Sequence, residues 1–138
     1  TYLLAIGDNW VTDDLSALYG TPQVMVGTQP EALYHLGFTS VYTIDAGSGD
    51  LQETFLPYQG PPWYTQSLSN NYGTPATNSS PIVLLHYDNS GVIDWASVYT
   101  VDAGSGDLQE TYLPNTGFPG DPWITQNLSV NYGTPPTS

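Results

Sequence analysis

The sequence predicts an all-β fold built from β-propeller blades, each a four-stranded antiparallel meander, with about 2.5 blades in the chain. Three observations predict it. Near-duplicate text occurs twice, as SVYTIDAGSGDLQETFLP at 40–57 and SVYTVDAGSGDLQETYLP at 97–114. A second block occurs three times: TYLLAIGDNWVTDDLSALYGTP at 1–22, TFLPYQGPPWYTQSLSNNYGTP at 54–75 and TYLPNTGFPGDPWITQNLSVNYGTP at 111–135. Within a unit, short runs of β-branched and aromatic residues alternate with turns of Gly, Pro, Asn and Ser, and no window sustains a helical period.

In chain order, residues 1–22 match only the third and fourth strands of a blade, so this segment reads as a half blade of two outer strands. DDLSALYG at 13–20 comes nearest to a helical pattern but is too short and ends in YGTP. Residues 23–75 form a whole blade, with strands expected at 31–36, 40–45, 51–57 and 63–68. The AGSG turn supplies the positive φ of a tight hairpin. Residues 76–138 form a second blade. His35 to His86 spans 51 residues whereas Val41 to Val98 spans 57, which places extra residues in an inserted loop at 87–96. A smaller insertion falls in NTGFPGDP, before Trp123. An incomplete ring leaves open strand edges, so closure is expected to come from a longer chain or from symmetry partners in a homo-oligomer. The alternative architecture is a small open β-sandwich.

Charge narrows the function. The 138 residues include 13 acidic and no basic side chains, a formal charge of −13. Such a chain cannot neutralise phosphates, which argues against nucleic acid and against polybasic attachment to a membrane. An aromatic content of 13% argues for a folded chain, and no apolar run is long enough to span a bilayer. There are no cysteines to form disulfides, thiolate metal sites or nucleophiles. A surface of amides, hydroxyls and uncompensated carboxylates, free of trypsin sites, is expected of a secreted protein.

Several side chains are candidates for chemistry. Glu53 and Glu110 occupy the same slot of LQET, on the sheet face shared with Leu51 and Phe55 in the first copy, where a buried carboxylate must find donors. With no Lys or Arg, only NH, OH, imidazole or a bound ligand can supply them; the carboxylate either accepts from sugar hydroxyls or is tied to backbone amides of the next blade. Trp10, Trp63 and Trp123 recur at one position, each followed nine residues later by Tyr19, Tyr72 or Tyr132, and fit either inter-blade packing or stacking on a ligand. Trp95 occurs once, in the insertion, and is expected to contact a partner. His35 and His86 align and read as framework residues. The DAGSGD turns invite calcium at Asp45/Asp50 and Asp102/Asp107, against the simpler reading of an Asx turn. No nucleophile elbow, zinc spacing or phosphate loop is present, and identical carboxylates repeated along the chain suit several weak binding sites better than one catalytic cleft. No enzyme activity, no catalytic residue, no metal ligand set and no obligatory cofactor are expected.

The stretch SVYTIDAGSGDLQETFLPYQGPPWYTQSLS resembles the repeat of fungal and bacterial fucose-binding propeller lectins over about 30 residues of each blade. The resemblance implies a sugar held between blades by an arginine heading the VYT strand, by the Glu of the next strand and by an aromatic ring. Carried over, it points to Glu53 and Glu110 and to Trp63, Trp123 and Trp10, while Ser40 and Ser97 stand where the arginines would be. LQETYLP and YGTP also resemble repeats of secreted actinobacterial propellers, a group whose dispase-autolysis-inducing member acts on a protease. The expectation is therefore a secreted, lectin-like, non-catalytic propeller binding glycans weakly at inter-blade clefts. The alternative is a propeller that binds another secreted protein through Trp95.

Overall fold

The computed structural model describes residues 2–3, 10–35, 37–114 and 121–137, with only the backbone described at 2, 3, 10, 11 and 94. Two four-stranded antiparallel sheets dominate. The first runs β3 (Glu31–His35), β4 (Phe38–Ile44), β5 (Leu51–Leu56) and β6 (Tyr64–Ser67), in that order. The second runs β7 (Ile82–Tyr87), β8 (Ile93–Val101), β9 (Leu108–Pro114) and β10 (Ile124–Asn127). Before them, β1 (Tyr2–Leu3) pairs with β2 (Trp10–Val11). The all-β class holds, and the two near-identical segments lie in different sheets as β4–β5 and β8–β9. Each sheet is an open meander.

Short helices follow the last strand of each unit, where the sequence predicts no helix. They are α1 (Leu15–Tyr19), α2 (Leu68–Tyr72) and α3 (Leu128–Tyr132). Asp14, Ser67 and Asn127 cap them by accepting from the backbone N–H three residues on. Gly20, Gly73 and Gly133 end them in the left-handed conformation, at φ of 68°, 75° and 70°. A single turn closed at both ends by caps has no period for a sequence pattern to display.

The expected loop at 87–96 is also corrected. Tyr87 ends β7, residues 88–92 turn, and 93–96 belong to β8. Asp88 closes that turn by accepting from the N–H groups of Ser90 and Val92. The insertion therefore lengthens a hairpin instead of adding a free loop, and Trp95 is a strand residue paired with His86 and Pro114.

Unlike faces of the two sheets meet. The first sheet offers Tyr42, Ile44, Leu51 and Glu53, which share a face because Tyr42 pairs with Glu53 and Ile44 with Leu51. Against them lie Val98 and Leu113 of the second sheet and Trp123 just before β10, and together with Leu68 these form one buried core. Thr74, just after α2, reaches the second sheet through Thr111 (2.7 Å) and Thr125 (3.1 Å). Beyond it, Thr77 N–H donates to Gly49 in the first hairpin and Ala103 N–H donates to Ala76, so the linker fastens one hairpin to the next. Because the stacking runs head to tail, the second sheet's copy of the Glu53 face is left without a third four-stranded sheet among the described residues.

Candidate functional site

Hairpin register sets the geometry around both glutamates. In the first sheet, Ser40 Oγ and Tyr42 OH donate to Glu53 Oε1 at 2.9 and 3.3 Å, and Gln66 Nε2 donates to Oε2 at 2.7 Å. Glu53 is 0% exposed beneath the second sheet. Burial pushes its carboxyl up to about 7, an effect that its three donors oppose without cancelling. The Tyr42 phenol is driven well above its ordinary value by burial and then by the Glu53 charge. The donors are OH and NH groups, as the absence of Lys and Arg requires, but they belong to side chains of the glutamate's own sheet and not to a ligand or to backbone amides of the next blade. Ser40, at the arginine position of the resemblance, is one of them.

Glu110 repeats this arrangement at the open face. Ser97 Oγ and Tyr99 OH donate to Oε1 at 2.7 and 3.2 Å, and Gln126 Nε2 donates to Oε2 at 2.6 Å. The carboxyl is 8% exposed and lines a cavity of about 280 Å³ with Trp95, Tyr112 and Gln126. The Trp95 ring stacks on His86 with centroids 4.1 Å apart and planes at 15°. His86 Nε2 lies 3.2 Å from Tyr99 OH, which continues the network to Glu110. Burial raises the Tyr99 phenol. Positions held in the first sheet by Phe38 and Phe55 carry Trp95 and Tyr112 here, so this copy adds an indole N–H and a phenol.

The other candidates separate. Trp123 is 3% exposed in the core, with its ring edge-on to Tyr42, and offers no face to a ligand. Trp63 is half-buried, and the Trp10 side chain lies outside the described residues. The three tyrosines diverge as well: Tyr72 packs on the core, whereas Tyr132 is 72% exposed. His35 is buried, its pKa lowered by desolvation, and its Nε2 has no partner among the described residues.

The acidic turns close on themselves. Asp45 accepts from Gly47 N–H and Ser48 Oγ, and Asp102 from Gly104 N–H and Ser105 Oγ. Asp107 accepts from Asn127 Nδ2. Among the described residues, no three His, Asp or Glu side chains gather as a metal would require.

No family model, curated protein or solved structure matches this chain. The site must therefore be read from its own chemistry. Glu53 and Glu110 are copies of one position in separate sheets and do not face each other across a cleft, as the two carboxyls of a glycoside hydrolase do. The Glu110 cavity combines two aromatic rings, a carboxyl acceptor and an amide, a set suited to binding a flat polar ligand. Tyr42, Tyr99, Gln66, Gln126 and Tyr112 were missed in the sequence. Counting outward from the AGSG turn would have placed Tyr42 opposite Glu53 and Tyr99 opposite Glu110.

Proposed function

We propose that this chain is a secreted, non-catalytic binding module of β-propeller type that recognises a sugar at the Trp95–Glu110 cavity. The observation that carries the reading is the convergence of Trp95, Tyr112, Glu110 and Gln126 on one open cavity. Aromatic rings stack on the apolar face of a sugar, and a carboxyl with an amide accepts from and donates to its hydroxyls. The propeller reading rests on head-to-tail stacking of two equivalent sheets, with further sheets or copies completing the ring. The reading requires that whatever completes the ring leave the Glu110 cavity open, so that each copy of the chain offers one weak site and several copies act through avidity. The first sheet's equivalent is filled by its neighbour and takes no ligand.

A glycan array followed by calorimetry tests this. Binding to a defined sugar that Trp95→Ala abolishes, with thermal unfolding little changed, supports the reading, and silence across the array overturns it. A second reading is favoured by Ile124, 44% exposed, whose partner in the register is the cavity residue Tyr112. An apolar residue beside an aromatic pocket suits a protein partner, such as a secreted protease. Pull-down from culture medium with wild type and Trp95→Ala separates the two.

A further inference from the structure

Resting on the sugar-binding reading, we propose that the Glu110 cavity selects sugars bearing a protonated amino group over neutral and N-acetylated ones. Glu110 lines the open cavity, and its donors among the described residues, Ser97 Oγ and Tyr99 OH on Oε1 and Gln126 Nε2 on Oε2, are all neutral. A cationic donor has to come from the ligand. No Lys or Arg exists anywhere in the chain to supply a neutralising cation. The nearest imidazole, His86, is stacked on Trp95 and has its Nε2 against Tyr99.

An ammonium fits this setting in three ways. It supplies a charge-assisted donor to the Glu110 carboxylate, and the Trp95 and Tyr112 rings line the same cavity, where aromatic rings favour a cation. The overall charge of −13 draws cations in and repels uronic, sialic and sulfated sugars. Acetylation removes the charge and replaces two donors with a carbonyl acceptor. Among the described residues that line the cavity, Gln126, Tyr112 and the Trp95 indole carry the donors that could meet it.

The experiment is calorimetric titration of the full chain with equal-length oligomers of glucosamine, N-acetylglucosamine and glucose, at about pH 6, below the amine's pKa. The amino oligomer is expected to bind roughly tenfold more tightly than the other two, the margin of one charge-assisted contact. That margin should shrink several-fold at about 0.5 M salt. Glu110→Gln should lose the margin between the amino oligomer and the other two, whatever affinity for the neutral oligomer remains. If that variant does not fold, the salt dependence of the wild type decides. Equal affinities for all three overturn the inference while leaving sugar binding intact, and no binding by any oligomer overturns both. An amino preference that survives Glu110→Gln or Trp95→Ala belongs to the general surface charge and also overturns it.

Discussion

Tyr42 and Trp123 meet edge to face across the gap between the two sheets, with ring centroids 6.0 Å apart and planes at 76°. The Tyr42 ring thus does two things at once. Its edge or face packs on the indole, and its hydroxyl donates to Glu53 within its own sheet. A four-stranded meander has an apolar face that it cannot bury alone, so this contact joins the polar network of one sheet to the packing of the next.

Trp123→Ala should accordingly lower stability by about 3–5 kcal/mol, because it opens a large cavity between the sheets. Trp63→Ala, at the same repeat position but half-buried, should cost clearly less. Urea unfolding of both variants checks the ranking, and equal losses would contradict the assignment of Trp123 to the shared core.

Glu53 makes stability depend on pH in an unusual direction. Its folded value is raised from an ordinary 4.5 to about 7, so the unfolded chain releases this proton more readily. The protein is then most stable with respect to this group below about pH 4.5, and loses stability as pH rises to about 7, by up to roughly 3 kcal/mol. Glu53→Gln should flatten that slope and raise the melting temperature at pH 8. Thermal melts of wild type and variant from pH 5 to about 8 test it. A wild type that gains stability over that interval relative to the variant would refute the buried-acid account.

Much of this was legible in the sequence, for identifiable reasons. Duplicated text at 40–57 and 97–114 placed the strands, because alternation of β-branched and aromatic residues is local information. The AGSG hairpins followed from turn chemistry. What could not be read was which copy would be covered. Glu53 and Glu110 have nearly the same neighbours in sequence, and only the stacking order buries one and leaves the other beside a cavity. Trp95 read as a loop residue because insertions usually lie in loops, yet this one lengthened a hairpin. The one-turn helices escaped because caps, not periodicity, define them.

The YGTP motif illustrates the same dependence on position. Thr74 bonds Thr111 and Thr125 across the sheets, whereas Thr134 of the later copy is exposed and bonds Ser129. Thr74→Val should cost about 1–2 kcal/mol, by removing a buried partner from two hydroxyls, and Thr134→Val less than about 0.5. Chemical denaturation distinguishes them, and identical effects would mean that Thr74 does not link the sheets.

The acidic hairpins yield a prediction of opposite pH sign. Asp102 is held below its ordinary value of 3.8, first by the Gly104 N–H and then by Ser105 Oγ. Its contribution is therefore present above about pH 4 and is lost as pH falls through the depressed value, the reverse of Glu53. The group lies at an exposed turn, where solvent screens charge and limits the gain. Asp102→Ala should lower stability by about 1 kcal/mol at neutral pH through loss of the turn-closing bonds, and the difference from wild type should shrink as pH falls through the depressed value. Because the same two oxygens close the turn, millimolar calcium should leave the melting temperature of the wild type unchanged. A calcium-dependent rise that Asp102→Ala abolishes would show that the turn opens to take the cation, and would displace the Asx-turn explanation.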